Sequence, residues 1–195
     1  LVVVKPPNML SQGDSTGDLD LLTLMKEYIK VTYDKPGNVY LGLVHRLDRP
    51  VGGVMVFAKT SKAAARLSKQ IQEGNMGRRY LAVVEGIPSP LQGTLEDHLL
   101  KDRKSNLVKV VPKGTPGAKR ASLSYEVVGF SENMSLLKLE LHTGRPHQIR
   151  VQLAHAGFPL VGDVRYGRRT RRKLQIALWA SELQLMHPTL REEMI

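Results

Sequence analysis

ASLSYEVVGFSENMSLLKLELH, residues 121–142, holds two strand candidates, Ala121 to Phe130 and Leu136 to His142, parted by a short polar break at Asn133. Upstream, Arg79 to Gly86, Thr94 to Leu99 and Leu107 to Pro112 read the same way, each bounded by Gly, Pro or Asn, and Pro112-Lys113-Gly114-Thr115-Pro116-Gly117 is a loop. Further out, Leu1-Val2-Val3-Val4 predicts a short buried strand cut off by Lys5-Pro6-Pro7. Tyr40 to Leu47 and Val54 to Lys59 predict two more strands, and Leu178 to Met186 another that ends at His187-Pro188.

Helical spacing is confined to three places. Asp18 to Tyr33 sets Leu19, Leu22, Met25 and Ile29 on one face and is broken by Pro36-Gly37-Asn38. Ser61 is suited to cap a helix from Lys62 to Glu73, with Ala65, Leu67, Ser68 and Ile71 as its packing face and Gly74 as its stop. Pro146 suits the first turn of a helix running to about Ala156 and closed by Gly157. Strands outnumber helices and many are joined by short turns. This predicts an α+β fold with a mixed, mostly antiparallel central sheet and flanking helices rather than a doubly wound parallel one.

A chain of 195 residues is long enough for its own core. Without a repeat or low-complexity linker, residues 1–195 are expected to form a single domain of two lobes, with further residues expected ahead of Leu1. Cysteine is absent, which removes disulfides and thiolate metal sites and is compatible with the cytoplasm. No stretch approaches the roughly 20 apolar residues of a spanning helix, so no membrane role is expected.

The formal net charge of +11 favours a polyanionic partner, because neutralised phosphates release counterions. The charge is clumped. Arg165, Arg168, Arg169, Arg171, Arg172 and Lys173 form one cluster, and Lys101, Arg103, Lys104, Lys109, Lys113, Lys119 and Arg120 are scattered through another. Each suits a solvated surface as well as nucleic acid. Their position around the motifs below favours RNA.

If Leu43 to Asp48 is extended, Arg46 and Asp48 project to one face and Leu43, His45 and Leu47 to the other. Arg49-Pro50 then ends the strand, and Gly52-Gly53 permits a tight turn or a close approach. Taken alone, such an Asp suits a turn or an ion pair better than catalysis. In the second motif, Tyr80 on its strand suits a core tyrosine. In the third, helical spacing puts His147, Arg150 and Ala154 on one stripe and Ile149, Leu153 and Ala156 on the apolar stripe beside it.

The run His45-Arg46-Leu47-Asp48-Arg49, followed by Gly53 and Ala58-Lys59-Thr60, resembles the signature of the RluA-type pseudouridine synthases. Arg79-Tyr80-Leu81-Ala82-Val83-Val84-Glu85-Gly86 and Thr143-Gly144-Arg145-Pro146-His147-Gln148-Ile149-Arg150-Val151 resemble that family's further motifs, and Gly162-Asp163-Val164-Arg165-Tyr166-Gly167 an element read as a structural turn. The resemblance runs from about Leu1 to His187-Pro188. It departs at Pro50-Val51-Gly52, where many members carry Thr or Ser with Gly, and at Gln152, where many carry His.

The resemblance implies isomerisation of uridines in ribosomal or transfer RNA, with Asp48 as the catalytic carboxylate acting on a flipped base. Tyr80 would pack on that base, and Arg150 would pair with Asp48 and keep it ionised. Arg46, Tyr80, Ile149 and Arg150 are thus the candidate substrate-binding residues. Arg46 is the candidate to hold a neighbouring phosphate or fill the vacated stack. Asp48 would either attack the sugar or abstract a sugar proton to leave a glycal, and both remain open. Neither a metal nor an organic cofactor is called for. Members often carry a small basic RNA-binding domain ahead of the catalytic one, and this sequence shows none. A monomer is expected.

Rival readings are a noncatalytic RNA-binding module of the same fold, a glycosidase-like hydrolase and a metal-dependent nuclease. The hydrolase wants paired carboxylates, and neither Glu85 nor Asp163 has a clear claim to partner Asp48. The nuclease wants ligand spacing, and none is evident.

Overall fold

The computed structural model describes residues 1–102, 104–167 and 174–195. Its elements run β1 (Val2–Lys5), α1 (Leu21–Thr32), β2 (Gly42–Leu43), β3 (Gly52–Ala58), α2 (Ser61–Glu73), β4 (Gly77–Glu85), β5 (Gln92–Asp102), β6 (Leu107–Val111), β7 (Lys119–Ser131), β8 (Met134–Leu141), α3 (Gln148–His155), β9 (Leu178–Met186) and β10 (Glu193–Met194). The α+β class holds, with helices a minority among strands. The chain divides into two compact units, Leu1–Gly77 with Ala180–Ile195, and Arg78–Trp179.

In the first unit β3 is central. It lies between β1 and β9, pairs antiparallel with β1 so that Lys5 faces Gly53, and takes β2 against its far end with Gly42 opposite Ala58. Its apolar run is almost wholly buried, as a strand covered on both faces requires. Val56 and Ala58 join Leu67 of α2, Met76, and Leu183 and Leu185 of β9 in one core cluster. The expectation of a buried strand at Leu1 to Val4 needs correcting. β1 is an outer strand whose Val2 and Val4 face solvent, whereas Lys5 at its end is fully buried.

Glycine is obligatory at one point in β3. Gly53 has φ +127°, and a Cβ there would lie 2.3 Å from the carbonyl oxygen of Ala180 in β9. Neither backbone can retreat without opening the sheet. Gly53→Ala is therefore expected to cost about 2–3 kcal/mol, from strain and from the clash, read as a lower urea midpoint at unchanged slope.

The helices start where side chains satisfy their first amides. Asp20 caps α1 by accepting from the Thr23 amide at 3.0 Å, so the helix begins after Leu19, which is left exposed rather than on the core face. Thr60, one residue ahead of the expected Ser61, caps α2 through the Ala63 amide at 3.1 Å, and Gly74 closes it with φ 75°. The small residues that pack are Ala63 and Ala64, while Ala65 points to solvent.

The second unit is an antiparallel sheet in the order β4-β8-β7-β5-β6. Alternation sends Arg78, Tyr80, Ala82 and Val84 of β4 and Ser135, Leu137 and Leu139 of β8 inward. A bulge interrupts the β7–β8 register between Val127 and Gly129. Helix α3 packs on β5, β6 and β7 through Val151, which meets Leu99, Val108 and Ala121. It starts at Gln148, two residues after Pro146, because His147 takes a left-handed φ of 52° at the cap.

Candidate functional site

Asp48 and Arg46 belong to the first unit, and Tyr80, Ile149 and Arg150 to the second. In the first, β2 ends at Leu43, so most of the expected Tyr40 to Leu47 strand leaves the sheet before the motif begins. Other groups take over the backbone polar atoms. The amide of Val56 in β3 donates to His45 Nε2 at 3.0 Å, and the Val51 amide closes a turn onto the Asp48 carbonyl at 2.9 Å. Leu47 is buried, Arg46 is exposed, and Asp48 between Leu47 and the exposed Arg49 is half-buried.

The segment from Lys5 to Asp20 wraps this loop. Lys5, 0% exposed, donates from Nζ to the carbonyls of Pro6 at 3.0 Å, Met9 at 2.6 Å and Arg49 at 3.1 Å. Burial pushes its ammonium down to about 8, while the Asp48 charge acts to raise it and Arg49 to lower it. Arg49 reaches back to the Asp18 carboxylate at 2.6 Å and to the Asn8 carbonyl at 3.2 Å. Ser11 Oγ donates to the Leu47 carbonyl at 2.8 Å and accepts from the Leu47 amide at 3.2 Å. Neither Lys5 nor Ser11 stands out in the sequence, since the loop residues they hold, Arg49 and Leu47, lie 44 and 36 residues away.

In the second unit Tyr80 is buried on the inner face of β4, opposite Leu139 of β8. Residues Gln148 to Leu153 of α3 are all buried, Ile149 and Arg150 among them, so α3 is enclosed rather than amphipathic. Arg150 donates from Nε and Nη2 to the two carboxylate oxygens of Asp163, each at 2.8 Å. Asp163 Oδ1 also accepts from the amides of Arg165 at 3.0 Å and Tyr166 at 3.2 Å.

Burial acts to raise the Asp163 carboxyl, but the Arg150 hydrogen bonds and charge, with the two amides, more than offset it and hold it below the usual carboxylate range. Asp163 is thus more than the turn former expected. A bidentate partner for Arg150 is what the sequence reading missed. The Tyr166 ring lies 5.1 Å from the Arg150 guanidinium carbon, and its hydroxyl meets His147 Nδ1 at 2.6 Å and the Val108 amide at 3.0 Å.

Two glutamines secure the approach to α3. Gln148 Oε1 accepts from Thr143 Oγ1 at 2.8 Å and from the Arg145 amide at 2.9 Å, and its Nε2 donates to the Ser122 carbonyl at 3.0 Å. Gln152, where the family pattern often has His, is fully buried and donates from Nε2 to Asp97 at 2.8 Å and to the Leu95 carbonyl at 3.2 Å. It ties α3 to β5.

Lys101, Lys104, Lys109, Lys113, Lys119 and Arg120 are all exposed, Arg120 paired with Glu96. Of the other basic cluster, Arg165 is described, and Arg168, Arg169, Arg171, Arg172 and Lys173, like Arg103, lie outside the described residues. Among the described residues no group of His, Asp and Glu is gathered so as to hold a metal ion, and no helix is long and apolar enough to cross a membrane.

Residues 1–155 match the family model described as RNA pseudouridylate synthase. A Bacillus subtilis protein named as an uncharacterized RNA pseudouridine synthase is 38% identical over 191 residues, covering 96% of this chain and 61% of that protein. The ribosomal large subunit pseudouridine synthase D of Haemophilus influenzae is 40% identical over 131 residues, 67% of this chain and 39% of that one. The chain thus spans less than two thirds of each of these relatives. The solved human RNA pseudouridylate synthase domain containing 4 shares the fold with a TM-score of 0.83 at 23% identity, covering 99% of this chain and 82% of that one.

Proposed function

The chain belongs to the RNA pseudouridylate synthase family, and from that premise we propose that it isomerises selected uridines of ribosomal or transfer RNA, with Asp48 as the catalytic carboxylate. The observation that carries this reading is the family match over residues 1–155, which includes the His45-Arg46-Leu47-Asp48 run and both supporting motifs. The half-buried Asp48, on a loop braced by Lys5 and Ser11, is compatible with a group held for reaction.

The reaction breaks the bond from the sugar to the uracil nitrogen, turns the base, and rejoins it through a ring carbon. That carbon loses its proton and the nitrogen is left protonated, so no redox step or water is consumed. Asp48 either attacks the sugar carbon and is later displaced, or takes a sugar proton and returns it. Reaching a half-buried carboxylate requires the uridine to leave its stack. We assign Tyr80 as the aromatic face for the flipped base, Ile149 as its apolar neighbour, and Arg150 as counter-charge for the anionic chemistry. The reading takes the protein to be a cytoplasmic monomer acting on structured RNA.

The test is RNA carrying tritium at the ring carbon that forms the new bond. Release of label into water is the expected result. Stable RNA binding without release would instead favour a noncatalytic RNA-binding protein, a reading motivated by Pro50-Val51-Gly52, and free uracil would favour a hydrolase.

Arg46 is exposed and bears its charge beside Leu47 and Asp48 in the chain, which suits a phosphate contact. Arg46→Ala is expected to lower label release by roughly 10–100-fold, the worth of a charged hydrogen bond, at an unchanged melting temperature. Unaltered release would remove the assignment.

A further inference from the structure

Among the described residues, those around Asp48 have no strand-ladder partner. Leu47 is buried off the sheet, and a buried peptide cannot leave its N–H and C=O unpaired. Both groups are satisfied by one atom, Ser11 Oγ, which donates at 2.8 Å and accepts at 3.2 Å. Only a group with a donor and an acceptor on the same small atom can do this from one position. On the other side of Asp48, the Arg49 carbonyl is fixed by Lys5 Nζ at 3.1 Å. The carboxylate therefore sits between two clamped peptide groups.

Ser11 is itself immobilised. Its carbonyl accepts from the Leu22 amide at 3.3 Å and the carbonyl of Leu10 from the Leu21 amide at 2.8 Å, both at the start of α1. The Asp20 cap secures that helix start through Thr23. Ser11 Oγ also lies 3.7 Å from Met55 Sδ in β3, and the residue is only 5% exposed, so the hydroxyl has little room to swing away. Rigidity passes from α1 through Leu10 and Ser11 to the peptide that precedes Asp48.

We propose that Ser11 is a positioning residue for the reaction, aiming the Asp48 carboxylate by holding both backbone groups of Leu47. This rests on the reading of Asp48 as the reacting group. It adds a residue outside the three motifs that carry the family resemblance. A reacting group displaced by about 1 Å loses on the order of 100-fold in rate, so the effect belongs on the chemical step and not on RNA affinity.

The test compares wild type, Asp48→Asn, Ser11→Ala, Ser11→Thr and Ser11→Cys in single-turnover label release from tritiated RNA, with RNA affinity and melting temperature measured in parallel. Ser11→Ala is expected to lose on the order of 100-fold in rate at saturating RNA, with affinity within about threefold of wild type. Its Leu47 amide should also lose protection from hydrogen exchange while the β3 amides keep theirs. Ser11→Thr, which keeps the hydroxyl, should recover most of the rate. Ser11→Cys keeps a side chain of similar shape with a weak donor, and covers the case in which the alanine variant does not fold; its rate should fall by about tenfold.

A folded Ser11→Ala or Ser11→Cys protein at full rate, or a loss confined to RNA affinity, overturns the proposal. A wild type that releases no label, or an Asp48→Asn protein that still does, overturns the functional reading instead.

Discussion

Asp48→Asn is expected to abolish label release from tritiated RNA, lowering the single-turnover rate by at least about a thousandfold. The substitution keeps the shape of the side chain and removes its capacity to attack or to take a proton. Because Asp48 is half-buried and its own carbonyl remains in the turn with Val51, the melting temperature should move by no more than about 2 °C. RNA affinity should persist, since the exposed basic residues that would hold RNA are untouched by the substitution. One secondary effect carries a sign. The Asp48 charge supports the Lys5 ammonium, so its removal should drive Lys5 further below its value of about 8. A variant that keeps more than a few per cent of the rate would sink Asp48 as the reacting group.

The largest stability effect is expected at Asp163. The Arg150 and Asp163 side chains are only 7% and 1% exposed, and removing Asp163 takes the bidentate partner from a buried guanidinium. Asp163→Ala should lose about 3–5 kcal/mol at neutral pH, measured by urea unfolding. The pH dependence follows from the depressed carboxyl. Its folded value lies below the unfolded one of about 4. The contribution is therefore complete above the unfolded value and is lost as pH falls through the folded one. Wild type and variant should converge in acid and diverge towards neutrality. A gap that persists unchanged into strong acid would mean that packing, not the ion pair, accounts for the loss.

The fold class was legible because most strands announce themselves locally. Residues 92–141 alternate, turn at Gly, Pro or Asn, and pair with near neighbours, so local pattern and long-range pairing agree. The Asp48 segment was misread for the opposite reason. Its strand-like pattern continues past Leu43, but the Leu47 backbone is paired by the Ser11 side chain, and the segment reaches the Val56 amide of β3 through the His45 side chain rather than through a strand ladder. Contacts across 36 residues leave no mark in a local pattern. Asp163 was hidden by its surroundings, since an Asp between Gly162 and Gly167 has a sufficient explanation as a turn until α3 delivers Arg150 to it. Lys5 was hidden by chemistry, because a lysine before two prolines suits a solvated loop unless three carbonyls converge on it. Tyr80, by contrast, sits where strand alternation from Arg78 to Val84 predicts an inward side chain.

The burial of Lys5 also equips the protein with an internal reporter. Its amine is sealed under carbonyls from Pro6, Met9 and Arg49, so an acylating reagent in solution cannot touch it while the loop is closed. Unlike the exposed lysines of β5, β6 and β7, it can be labelled only in the moments when the N-terminal segment lifts away. The rate at which that one amine is acylated, followed by mass spectrometry, therefore counts openings of the chain around Asp48. It turns a hydrogen-bonded anchor into a clock for how often the Asp48 carboxylate is let out of register.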